Sequence, residues 1–116
     1  MDSGRILLVA PDNDLRRSLT FALAAYGYAV TAEQAWPVDV VPDAFDCTVL
    51  DEHVLAGAAI RAPALLSGRR PVLLLAYTDE GMANEAVTEA IAMPLKGEAV
   101  IQAVAAAIAT ARHNAK

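Results

Sequence analysis

The run Asp51-Glu52-His53 places two carboxylates and an imidazole at the end of the apolar segment FDCTVL. These are the donor types of a metal site. Consecutive residues leaving a strand point to opposite faces, however, and rarely converge on one ion, so the run reads as a single acid, Asp51, closing a strand. Asp12 is a second isolated carboxylate, two positions after Ala10; a helix follows it, and capping that helix is its expected role. Cys47 lies inside the apolar run and reads as a small buried hydrophobe. Neither His53 nor His113 has a nucleophile partner, and no serine sits in a strained elbow, so no independent enzyme is expected. The sequence after the first apolar run is Ala10-Pro11-Asp12-Asn13. It has no glycine-rich turn to cradle a phosphate, which disfavours a nucleotide-binding domain.

These residues need a scaffold, and the hydrophobic pattern supplies one. Residues 5–10, RILLVA, form a continuous apolar run ended by Pro11, the pattern of a strand buried on both faces. Asp12 and Asn13 can cap a helix whose apolar positions are Leu15, Leu19, Ala22 and Tyr26, with Gly27 placed to stop it. A short strand is predicted at 28–31, after which Pro37 and Pro42 leave room for only a short second helix. Residues 47–51 and 71–77 read as two further buried strands, with one helix between them in 54–67. Residues 89–95 read as a last strand closed by Pro94, and 97–111 as a helix with Val100, Val104 and Ile108 on its core face. Five strands alternating with helices predict an α/β fold with one doubly wound parallel sheet covered on both faces. Functional residues then gather at the carboxyl ends of the strands.

Three segments in this order resemble the receiver domains of bacterial response regulators, over about 5–108. In RILLVAPDNDLRRSLTFALAAYGYAV the counterpart is a first strand ending in paired acids, an Arg-containing helix and a Gly-Tyr before the second strand. FDCTVLDEHVLAG resembles the third strand, with the phosphoacceptor Asp at its end, and AIAMPL resembles the fifth strand with its Lys-Pro-aromatic close. The resemblance implies flavodoxin-like receiver topology. The stretch from Ala76 to Met93 is too short for a full fourth helix, so that helix as well as the second is expected to be shortened.

Receiver chemistry uses two acids that hold magnesium, an Asp that takes the phosphoryl group, a Thr or Ser, and a Lys. Carried over position by position, the acid pair falls on Ala10 and Pro11, the acceptor on Asp51, the hydroxyl on Ala76 and the Lys on Met93. The aromatic that swings inward on activation falls on Ala90. Pro94 is retained, and the resemblance implies a cis Met93-Pro94 bond. The expected role is an atypical, phosphorylation-independent protein-interaction module in bacterial signal transduction, with no cofactor and no metal. Replacing Asp51 by Asn is then expected to leave folding nearly untouched. The alternative is a working phosphoacceptor, phosphorylated on Asp51 by a histidine kinase with magnesium, using Asp12 and Lys96 as surrogate ligands.

Composition narrows the partners. With 116 residues, 56% hydrophobic and 20% charged, the chain is expected to form one folded domain over 1–116. A net charge of -5, with basic residues adjacent only at Arg16-Arg17 and Arg69-Arg70, disfavours nucleic acid. The apolar stretch near the start is too short for a signal peptide, and no run is long enough to span a membrane, so a cytoplasmic location is expected. The partner is expected to be a protein, a kinase or regulatory target. Ala99, Ala103, Ala106 and Ala109 give the last helix a small apolar outer face, a candidate surface for a homodimer.

Overall fold

The computed structural model describes residues 4–35, 44–56, 70–82, 87, 89–93 and 97–114. Strand β1 (Arg5–Val9) runs into helix α1 (Asn13–Ala25) and strand β2 (Ala29–Glu33). Then come β3 (Cys47–Asp51), α2 (Glu52–Ala56), β4 (Val72–Ala76), α3 (Asp79–Met82), β5 (Glu89–Ala92) and α4 (Gly97–Asn114). All five strands pair in parallel in the order β2-β1-β3-β4-β5, the flavodoxin-like arrangement the sequence predicts.

The central strands are buried throughout because they carry apolar side chains on both faces. Alternation splits these into two cores. Ile6, Leu8, Cys47, Val49, Leu73 and Leu75 meet Leu19 and Leu23 of α1 and Val100, Ile101, Val104 and Ile108 of α4. On the other face Leu7, Val9, Leu50, Val72 and Leu74 pack with Phe45, Val54 and Val87. The order of strands makes the carboxyl ends of β1, β3 and β4 neighbours, and there Asp51 stands opposite Leu75 in the register.

Helix α1 begins where Asp12 takes an extended conformation and accepts from the amides of Asp14 (2.9 Å) and Leu15 (3.5 Å). At its far end Gly27 adopts φ 92°, its amide reaches Ala24 O at 3.0 Å and the Tyr28 amide reaches Leu23 O at 3.3 Å. This pair of bonds is a Schellman close, for which glycine is the favoured residue. The expected apolar stripe needs one correction: Tyr26 caps the helix and is 61% exposed, and Leu23 is the residue buried there.

Other boundaries shift by a few residues. The strand expected at 28–31 is Ala29–Glu33, those expected at 71–77 and 89–95 are Val72–Ala76 and Glu89–Ala92, and α2 starts at Glu52, ahead of the expected 54. The last helix runs on to Asn114, and Ala103 does not belong to its outer face. It sits beside Val100 and Val104 and packs against the core, whereas Ala99, Ala106 and Ala109 are exposed. Helix α3 spans four residues in the described part of the chain. The short second helix expected around Pro37 and Pro42, and the cis bond expected at Pro94, lie outside the described residues.

Candidate functional site

Asp51 ends β3 at 1% exposure, and among the described residues its carboxylate meets the His53 amide, the His53 ring and the Tyr77 hydroxyl. Oδ1 accepts from the His53 amide at 2.7 Å and is 2.9 Å from His53 Nδ1. Oδ2 accepts from the Tyr77 hydroxyl at 2.8 Å. The Tyr77 and His53 rings lie against each other with centroids 4.4 Å apart, tilted by 39°. Burial, followed by the hydrogen bond and charge of Asp51, pushes the Tyr77 phenol well above its ordinary value. The hydroxyl therefore stays protonated and serves as a donor.

Glu52 forms a second tie beside the first. Its Oε1 accepts from the amides of Tyr77 (2.6 Å) and Thr78 (3.1 Å), and its Oε2 pairs with the Thr78 hydroxyl. The Thr78 hydroxyl, then the Tyr77 amide, hold the Glu52 carboxyl below its ordinary range. The two acids at the β3–α2 junction thus bind the segment that follows β4.

The positions singled out in the sequence are placed as follows. Ala10 is fully buried and its amide donates to Glu33 O at 3.0 Å. Arg16 Nη1 donates to Ala10 O (2.8 Å) and Pro11 O (3.3 Å), and its Nη2 pairs with Asn13 Oδ1, so an arginine ties this loop. Asp12 has its side chain on the α1 amides. Ala76 is 2% exposed and contributes no polar group beyond its backbone. Ala90 packs beside Leu74 and Val87, and Met93 packs against the core that holds Leu75 and Val100. Lys96 lies outside the described residues.

These residues do not fit the divalent ion that receiver chemistry uses. Ala10 and Pro11 offer no side-chain oxygen, Asp12 is committed to capping, and both Asp51 oxygens are already hydrogen-bonded. Among the described residues no group of three or more His, Cys, Asp and Glu is placed to hold a metal. The structure brings Asp51, His53 and Tyr77 together.

Sequence reasoning missed Tyr77 and the partnership of Asp51 with His53. Alternation along β4 carries the row Leu73, Leu75 on to Tyr77, which indicates its face but not its partner, since the register of β3 against β4 sets that. His53 lies in α2 and not in the strand, and its amide turns back onto Asp51 at the helix start, which strand periodicity does not indicate.

No protein-family model matches the sequence, and no curated protein does. Solved structures do match. Full-length FixJ from B. japonicum superposes with a TM-score of 0.78 at 21% identity, over 99% of this chain and 62% of FixJ. NtrX from Brucella abortus gives 0.74 at 21% identity, over 95% of this chain and 28% of NtrX. The chain has the receiver fold. It also matches the isolated receiver domain of the Francisella response regulator 1452, with a TM-score of 0.73 at 14% identity, over 92% of this chain and 98% of that one. The chain thus spans less than two thirds of FixJ and of NtrX but nearly all of that isolated receiver domain. Identities at this level carry the receiver fold and no individual residue's role.

Proposed function

We propose that this receiver-fold chain is a protein-interaction module of bacterial signal transduction that works without an aspartyl-phosphate switch. The observation that supports this most directly is the state of Asp51. Both carboxylate oxygens are occupied by groups of the same chain, at 2.7–2.9 Å. A phosphoryl group arriving at Oδ2 must displace the Tyr77 hydroxyl, and one arriving at Oδ1 must displace contacts of His53. It would meet Ala10, Pro11, Ala76 and Met93 where the family has its metal acids, hydroxyl and lysine. No catalytic activity of its own is proposed.

The partner is proposed to be a protein, a kinase or regulatory target, met in the cytoplasm. No helix among the described residues is long and apolar enough to cross a membrane. The outer face of α4, where Ala99, Ala105, Ala106 and Ala109 are exposed, is the first surface to survey for that partner or for a homodimer.

The test is to incubate the wild type and Asp51→Asn with acetyl phosphate and magnesium and record intact masses. The expected result is no phosphoryl adduct on either protein. An adduct on the wild type alone overturns the proposal in favour of a working phosphoacceptor at Asp51.

A further inference from the structure

We propose that Tyr77 is a hinged lid over Asp51, able to swing away while the backbone beneath it stays in place. The proposal rests on the reading of Asp51 as closed in the resting chain and names how that closure is regulated.

Asp51 is sealed, at 1% exposure, but part of its cover is not core. Tyr77 is 41% exposed and the His53 side chain 65% exposed. Side chains half in solvent exchange rotamers quickly, whereas close-packed core side chains are held by neighbours on every side. A buried carboxylate at a strand end, covered by such groups, is closed by parts that can move.

The attachments of Tyr77 separate ring from backbone. Its amide and that of Thr78 are fastened to Glu52 Oε1 at 2.6 and 3.1 Å, and the Thr78 hydroxyl to Oε2. The ring is retained by one hydrogen bond to Asp51 Oδ2 and by its tilted contact with His53. Among the described residues, rotation about the Tyr77 side-chain torsions breaks that hydrogen bond and that ring contact. Glu52 need not let go, so the lid opens on a fixed hinge without rearranging β4 or α2.

The two oxygens of Asp51 respond differently. The His53 amide, part of the main chain entering α2, holds Oδ1 at 2.7 Å whatever the ring does. Among the described residues Oδ2 has the Tyr77 hydroxyl as its hydrogen-bond partner. The open state therefore bares one oxygen of the carboxylate. Tyr77 sets whether Asp51 is chemically available at all.

Carbodiimide coupling to a small amine, mapped by peptide mass spectrometry, reads that availability directly. Exposed Asp14 serves as the reference for an open carboxylate, and Cys47, fully buried, as a sentinel: a thiol reagent reaches it only if the fold opens. In the wild type Asp51 should couple roughly ten-fold or more slower than Asp14, as expected for a group reached only through local opening. Tyr77→Ala should bring Asp51 close to the rate of Asp14 with Cys47 still sealed. Tyr77→Phe, which keeps the ring and loses the bond, should fall between. Equal Asp51 rates in wild type and Tyr77→Ala, with Cys47 sealed, overturn the lid. If Tyr77→Ala exposes Cys47, the decision passes to Tyr77→Phe: a faster rate supports the lid and an unchanged rate overturns it. These outcomes are independent of the acetyl phosphate result, which tests the closed reading itself.

Discussion

At Asp51 a buried carboxylate is kept by hydrogen bonds from a tyrosine, a histidine ring and a backbone amide. Burial of such a group is tolerated when its lone pairs are satisfied, and among the described residues no buried side-chain nitrogen or oxygen lacks a partner. This revises the expectation that Asp51→Asn is nearly neutral. That expectation gave the Asp51 side chain no partners, and the structure hydrogen-bonds both of its oxygens. Removing one donor is the informative change. Tyr77→Phe leaves Oδ2 buried without its partner and should lower stability by about 1–3 kcal/mol, read from urea denaturation. Asn in place of Asp51 can still accept from His53 through its oxygen while its amide faces the tyrosine hydroxyl, so Asp51→Asn should cost less than Asp51→Ala. Equal losses for the two would show that the hydrogen bonds contribute little.

The elements add ties that hold strand ends and helix starts in place. Asp12 satisfies the first amides of α1, and Asp12→Ala should destabilise the chain by about 1 kcal/mol, measured by the same denaturation. Glu52 links the start of α2 to the segment after β4. Its carboxyl titrates lower in the folded chain than its ordinary 4.5, chiefly through the Thr78 hydroxyl. A carboxyl lowered by folding contributes stability that is present above its unfolded pKa and lost as pH falls through the folded one. The stability gap between wild type and Glu52→Gln should therefore be open at neutral pH and close progressively below about pH 4.5. A gap independent of pH would mean that the charge of Glu52 contributes nothing to the tie. Arg16 has the parallel role at the β1–α1 loop, donating to the carbonyls of Ala10 and Pro11.

At the scale of the whole molecule, the described residues form a parallel sheet between two apolar cores, and burial of such cores is the main favourable term in folding. Leu74 is fully buried at the centre of one core. Leu74→Ala should cost about 2–5 kcal/mol, a large share of the stability of a domain this size. The cysteine belongs to the opposite core: burial, reinforced by the charge of Asp46, pushes its thiol up to about 12. It should stay unreactive toward thiol reagents until the chain unfolds, and its modification rate in denaturant should track the unfolding curve.

The sequence by itself determined the layered α/β fold, because continuous apolar runs bounded by Pro, Gly and capping residues admit a parallel sheet covered on both sides and little else. The residue types at Ala10, Pro11, Ala76, Ala90 and Met93 are also legible there, since they are identities at places along the chain. Strand ends shifted by a few residues because pairing partners, not local propensity, end a strand: β4 stops at Ala76, opposite Ala92. What only the tertiary structure decided is the use of Asp51. Asp51 and Tyr77 meet across two neighbouring strands whose register no local pattern specifies. Glu52 reaches Tyr77 and Thr78 for the same reason. A residue list read in one dimension shows an acid at the end of an apolar run and names no partner for it. The folded chain supplies His53 and Tyr77, the side chains that the start of α2 and the register of β3 and β4 bring within hydrogen-bond distance.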